Sequence, residues 1–213
     1  MNIHSSMPAP AAGRRSRPEP LPGPKRDAIL RAAIDVFAER GYFNAQVADV
    51  ARAARVAAGT VYLYFRSKDD LLISIFERSM RDALGEVRAV DDAARADPYE
   101  RLRRFARLHL GRLGRDRNLA IVFQVELRQS TKFMERFSST LLREYLGLIR
   151  SAIADGQADG QFRADINPTV AAKMFFGALD EMATNWILSQ RRYPLEKDAD
   201  AVVDLFVNGA RAR

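Results

Sequence analysis

Two hundred and thirteen residues make one large domain or two small ones, long enough to bury a core unaided, and no cysteine is present to form a disulfide or a thiolate site. With only His4 and His109, no apolar run of membrane-spanning length and no signal-peptide core, a zinc enzyme, a membrane span and a secreted protein are disfavoured; a cytoplasmic chain with no metal, cofactor or membrane partner is expected. The net charge of +7 is uneven: residues 1–68 carry 11 Lys/Arg against 5 Asp/Glu, whereas residues 69–213 carry 23 against 22, so the N-terminal third suits a polyanion, nucleic acid before an anionic membrane.

Residues 1–24 hold six of the nine prolines and read as a disordered Pro/Arg-rich tail in which Arg14, Arg15 and Arg17 are solvated or brush a phosphate backbone. From Lys25 the spacing is helical. Ile29, Leu30, Ala33, Ile34 and Phe37 make one apolar stripe, stopped at Gly41. Val47, Val50, Ala51 and Ala54 make a short second helix, and a third runs from about Ala57 to Phe65. The gap between them admits only a turn, which is the helix-turn-helix pattern.

Ser67 with Asp70 three residues on predicts the start of a long helix through Leu71, Ile75, Met80 and Leu84. Asp97-Pro98 starts a helix carrying Leu102, Phe105, Leu108 and His109. Asp116 caps an expected helix over 118–129, apolar on most sides until Glu126, Arg128 and Gln129. Further helices are expected over 132–155, from Asn167-Pro168 to about Gln190, and over 196–211. No alternating strand pattern competes, so the chain reads as all-α with about nine helices: a tail to residue 24, a helix-turn-helix unit over 25–69 and a longer helical unit over 70–213.

Residues 41–71, GYFNAQVADVARAARVAAGTVYLYFRSKDDL, carry the pattern Gly41-Tyr42, Val47, Val50-Ala51, Ala54, Val56, Gly59-Thr60, Tyr62, Tyr64-Phe65, Ser67-Lys68 and Leu71. Val61 and Phe65 are spaced to pack inward, which leaves the hydroxyls of Thr60, Tyr62 and Tyr64 at the rim as phosphate ligands. Gly59 permits a close backbone approach. Lys68, a cation in the first turn of its helix, points to an outside anion. The plain alternative is that both tyrosines are core aromatics and Lys68 is solvated.

This ordered pattern resembles the DNA-binding module of the TetR family of bacterial repressors. The resemblance implies that residues 57–65 enter the major groove with Ala58 facing bases, that Gln46 opens the supporting helix, and that a homodimer meets palindromic double-stranded operator DNA. Two positions depart from the family: Arg55 stands where a turn glycine is usual, and Ala45 where Ser or Thr caps the second helix, leaving that task to Asn44 or Gln46.

Residues 118–130, NLAIVFQVELRQS, with Phe176-Gly177, Asp180-Glu181 and Trp186, resemble the FadR-type branch, repressors of fatty-acid degradation that respond to long-chain acyl-CoA. The implied effector is a long-chain acyl-CoA or another hydrophobic small molecule. Candidate pocket residues are Phe105, His109, Phe123, Glu126, Leu127, Arg128, Gln129, Phe133, Met134, Phe137, Asn185 and Trp186, with Arg128 and Gln129 at the thioester end. Plain core packing, with Glu126 and Arg128 in ion pairs and His109 a satisfied core histidine, is the bland alternative. The run Arg101, Arg103, Arg104 and Arg107 reads as a solvated helix face, or as ligands for CoA phosphates. Ala178, Met182 and Ile187, with Val202, Leu205 and Phe206, are the candidate dimer contacts. The same architecture could instead sense aromatic or cationic drugs, with Glu126, Asp180 and Glu181 as acidic groups, and control an efflux pump. An enzyme would need Glu126 or Asp180 as a lone acid or base, or a Ser-His-Asp set resting on His109 alone, and no catalytic residue is expected.

Overall fold

The computed structural model describes residues 23–92, 97–129, 140–189 and 193–211. Among them are nine α-helices and no strand, only an isolated antiparallel bridge between Phe162 and Arg211. They are α1 (Pro24–Arg40), α2 (Val47–Ala53), α3 (Ala58–Tyr64), α4 (Lys68–Asp92), α5 (Pro98–Arg115), α6 (Arg117–Ile121), α7 (Leu141–Ala158), α8 (Pro168–Leu188) and α9 (Asp198–Ala210). Three starts follow local chemistry. Ser67 Oγ accepts from the Asp70 N–H at 3.1 Å, Asp116 from the Leu119 N–H at 3.0 Å, and Asn167 from the Thr169 N–H at 2.9 Å.

The turn between α2 and α3 keeps the geometry a glycine would give. Arg55 has φ +56°, and the Val56 and Arg55 N–H groups close a Schellman motif on the carbonyls of Ala51 at 3.0 Å and Arg52 at 3.1 Å. At the start of α2 the residue that serves is Gln46, whose N–H donates to Asp49 Oδ2 at 3.1 Å, while the Asn44 amide turns back to the Arg40 carbonyl at 3.2 Å. α7 ends on Gly160, at φ +71°. Gly156 in its last turn leaves room for a ring: a Cβ there would lie 2.3 Å from Phe162.

One apolar core runs from α1 to α9. α5 lies at its centre, packed against α4, α7, α8 and α9, with Leu102, Ala106 and Leu110 wholly buried. Ile29, Phe37, Val50, Val61 and Phe65 join α1, α2 and α3 to the start of α4 through Leu71 and Leu72. Among the described residues no helix is long and apolar enough to cross a membrane.

The expected helix over 118–129 is not uniform. α6 passes at Val122–Glu126 into a π turn and at Leu127–Gln129 into a 3-10 turn. A π turn adds a residue to the helical ring and rotates the residues after it about the helix axis. It turns the polar side chains of Gln124 and Glu126 inward, where both are buried. The last helix also starts later than its pattern suggests, after a 3-10 turn over Leu195–Lys197.

Candidate DNA face, effector cleft and the contacts that join them

α3 presents Ala58, Gly59, Tyr62 and Leu63 to solvent, while Val61 and Phe65 are buried beneath. Thr60 and Tyr64 are half-buried, with Tyr64 packed on the core. Gln46 and Arg55 lie exposed beside this face, as does Phe43. Hydroxyls, a glycine and small apolar groups around a short helix form a surface able to meet phosphates and thymine methyl groups.

Lys68 does not reach outward with these residues. Its ammonium donates to the carbonyls of Tyr42 at 2.7 Å, Ala45 at 2.9 Å and Phe43 at 3.1 Å, and stands 4.6 Å from the centre of the Tyr42 ring. An ammonium has three donors, and all are spent on one loop. The outside anion expected of Lys68 is replaced by carbonyl oxygens, and Lys68 holds the α1–α2 loop against α4. The Tyr42 hydroxyl donates to Asp69 in the same knot, which together with burial holds that phenol above its usual range.

A narrow cleft of about 40 Å3 lies between α4, α5, α7, α8 and the π and 3-10 turns that follow α6, well below the volume of an occupied small-ligand site. Met80, Ala83, Leu113, Phe123, Leu142 and Phe176 form its apolar wall. Its polar lining is Ser79, His109, Arg112, Gln124, Arg128, Tyr145 and Asp180. Asp180 accepts from Gln124 Nε2 at 2.6 Å and is paired with Arg128, which is half-exposed at the rim; Thr184 closes the network on Gln124 Oε1 at 3.3 Å. His109 Nδ1 lies 3.1 Å from the Tyr145 hydroxyl. Burial drives the imidazole pKa down to about 4, so the ring is neutral at pH 7.

Of the residues expected in the pocket, His109, Phe123 and Arg128 line the cleft. Phe105 lies behind it, its ring stacked 6.2 Å from His109. Leu127 is buried in the core. Trp186 is also buried outside the cleft, with its N–H on the Tyr193 carbonyl at 2.9 Å and the Arg117 guanidinium 5.1 Å over its ring. Asn185 is exposed and bonded within its own helix to Glu181. Gln129 ends the 3-10 turn, while Phe133, Met134 and Phe137 lie outside the described residues. Sequence reasoning did not place Met80, Gln124, Tyr145 or Phe176 in the pocket: Met80, Tyr145 and Phe176 face the cleft from apolar helix stripes, and Gln124 is brought to it by the π turn. In the basic run, Arg101, Arg103 and Arg107 pair with Asp155, Glu100 and Asp200.

Glu126 is placed elsewhere altogether. Its carboxylate leaves the cleft and accepts the Tyr42 N–H at 2.6 Å, beside Gly41. Gly41 has φ +75°, and a Cβ there would stand 3.7 Å from the carboxylate. The π turn thus lines the cleft with Phe123 and Gln124 and, at Glu126, grips the loop that ends α1. More contacts cross the same boundary: Arg31 of α1 pairs with Asp116, Asn118 donates to Asp35 at 2.8 Å, and Arg78 of α4 pairs with Asp27.

On α8 and α9 the solvent-facing residues include Val170, Met174, Ala178, Leu188 and Leu205, a set of exposed apolar side chains. Of the expected dimer contacts, Ala178 and Leu205 lie on this surface. Met182 and Val202 are half-buried, Phe206 packs 4.9 Å from Phe175, and Ile187 is buried within the chain.

A helix-turn-helix on one side and a narrow, mostly apolar cleft on the other, joined by defined side chains, is the architecture of a ligand-responsive transcriptional regulator. Residues 29–75 match the family described as bacterial regulatory proteins, tetR family, and residues 76–209 match the one described as YsiA-like protein, C-terminal region. The chain belongs to the TetR family and is a regulator rather than an enzyme. It is 36% identical to the fatty acid metabolism regulator protein of Bacillus subtilis over 186 residues, 87% of this chain and 95% of that one. Among solved structures it is similar to the fatty acid degradation regulator FadR from Bacillus halodurans, at 39% identity and a TM-score of 0.83, covering 91% of this chain and all of that one. It is similar too to FadR from Bacillus subtilis solved in complex with stearoyl-CoA, at 34% identity and a TM-score of 0.81, covering 87% and 99%.

Proposed function

We propose that the chain is a dimeric transcriptional repressor of fatty-acid degradation genes, acting in the cytoplasm, that holds palindromic operator DNA and releases it when a long-chain acyl-CoA enters the cleft. DNA is met by the unit up to about residue 69, through the hydroxyls of Thr60, Tyr62 and Tyr64, the exposed start of α3 at Ala58 and Gly59, and the flanking Gln46 and Arg55. The apolar surfaces of α8 and α9, led by Met174, Ala178 and Leu205, pair two copies so that both α3 helices reach successive major grooves.

The observation that carries this reading is the double duty of the π turn: Phe123 and Gln124 line the cleft, while Glu126 holds the Tyr42 N–H at 2.6 Å. An acyl chain cannot enter so narrow a cleft without parting its walls. Displacing the π turn, or α4 at Met80 and Ala83, moves the two supports of the DNA-binding unit together. The drug-sensing alternative has less to stand on, because Glu126 faces Tyr42 and Asp180 is held by Arg128 and Gln124.

Titrating the protein with acyl-CoAs of eight to eighteen carbons tests the reading. Each buried methylene contributes about 0.8 kcal/mol, so affinity should rise roughly fourfold per carbon until the cleft is full. A response flat in chain length, or one confined to cationic drugs, would overturn it.

A further inference from the structure

Two polar nitrogens on cleft-lining residues, His109 Nε2 and Arg112 Nε, are buried and have no hydrogen-bond partner among the described residues. They stand three apart on α5, so their side chains share one face of the helix. A buried donor left unsatisfied is costly, so two on one wall of a cavity mark a place where an acceptor is meant to sit.

The protonation of both is set by their neighbours. Arg112 Nε always carries a proton. Tyr145 is 2% exposed, and its hydroxyl has His109 Nδ1 as its partner among the described residues. Donation from the Tyr145 O–H into Nδ1 satisfies both atoms and puts the imidazole proton on Nε2. The reverse arrangement would strand the phenol proton in the core. Two N–H groups on cleft-lining residues are therefore met by no acceptor among the described residues.

Charge decides which acceptor fits. His109 is neutral at pH 7. Arg112 is already engaged by two carboxylates, Glu86 at 2.6 Å and Asp82 at 3.5 Å, and Arg128 by Asp180. The guanidiniums of Arg112 and Arg128 are thus already met by three carboxylates, which disfavours a further anion and suits a neutral carbonyl. Resting on the acyl-CoA reading above, we propose that His109 Nε2–H and Arg112 Nε–H form a subsite for the thioester carbonyl oxygen, which places the acyl–sulfur junction at α5 rather than beside Arg128. The subsite then selects a thioester over the corresponding free fatty acid.

Calorimetric titration of the full-length protein with palmitoyl-CoA, its S-hexadecyl-CoA analogue (the same chain without the carbonyl) and palmitic acid separates the possibilities. The wild type should bind the thioester about tenfold more tightly than the thioether, and more tightly than the acid. The preference for thioester over thioether should shrink to within about threefold in Arg112→Lys, which keeps the charge but moves the donor. It should shrink likewise in the double variant His109→Phe/Tyr145→Phe, which removes the imidazole without stranding the phenol; melting temperatures check that both variants are folded. Equal binding of thioester and thioether by the wild type, or a preference that survives both changes, would mean that the two nitrogens serve ordered water, and the subsite falls while the acyl-CoA reading stands. If neither CoA compound binds the wild type, both fall together.

Discussion

Arg55, Lys68 and His109 each carry a property that residue type alone does not fix. Arg55 holds a left-handed backbone conformation that a glycine adopts freely and other residues only at a cost. Arg55→Gly should therefore stabilise the protein by about 1 kcal/mol and raise its melting temperature by roughly 2–4 °C. If the guanidinium meets a phosphate, the same change weakens operator binding and lowers the salt slope by about 0.9 for each phosphate no longer neutralised. Stability and affinity moving in opposite directions is the expected outcome; a lower melting temperature with unchanged DNA binding would contradict both halves.

His109 makes a prediction about pH. Its folded pKa of about 4 lies below the ordinary 6.5 because burial penalises the imidazolium. The unfolded chain then binds a proton that the folded chain refuses, so the associated stability is complete above pH 6.5 and declines as pH falls from there towards 4. The loss is about 3 kcal/mol at its limit. Urea unfolding at pH 7, 5.5 and 4 should show a shallower decline in the His109→Phe/Tyr145→Phe variant than in the wild type. Parallel profiles would show that the imidazole remains accessible to protons in the fold.

At the scale of elements, much of the fold is legible in the sequence because caps and stripes act locally. Ser67, Asp116 and Asn167 cap where their spacing places them, and α1, α2, α3 and α8 fall within a few residues of their patterns. The features that stay hidden depend on register or on distant partners. The π turn over Val122–Glu126 has no sequence signature, yet it sends Gln124 towards Asp180 and Glu126 towards Tyr42, 84 positions away. Lys68 has the composition of a phosphate ligand, and the three carbonyls that hold it become neighbours only when the Tyr42–Ala45 loop folds over α4. The cleft is equally hard to see, because Phe176 and Tyr145 sit on stripes identical in character to those that fill the core.

The grip of Glu126 on Tyr42 joins the π turn to the loop that ends α1. Glu126→Gln keeps the shape and can still accept the N–H, but without the charge that about doubles such a bond. It should loosen the tie between cleft and DNA unit, so that saturating ligand changes operator affinity by a smaller factor while ligand binding itself is nearly unaltered. Fluorescence anisotropy with labelled operator, with and without ligand, measures that factor. An unchanged factor would place the transmission elsewhere, with α4 and the Arg78–Asp27 pair the next candidate.

For the whole molecule, the proposed assembly rests on the exposed apolar surface of α8 and α9. Met174 and Leu205 are 67% and 78% exposed, far more than large apolar side chains favour on an unpartnered surface. Met174→Glu with Leu205→Asp should give a monomer in sedimentation at micromolar concentration, and should weaken operator binding far more than binding of acyl-CoA, because only DNA needs two copies at once. A double variant that remains dimeric would move the interface to another face.

Cleft and DNA face are proposed to share one equilibrium, and linkage makes it reciprocal. The most direct measurement is operator affinity with and without saturating stearoyl-CoA, paired with stearoyl-CoA affinity with and without saturating operator. Each ligand should weaken the other by the same factor, at least about tenfold, or about 1.4 kcal/mol of coupling. Stearoyl-CoA that binds tightly while operator affinity stays the same would contradict it.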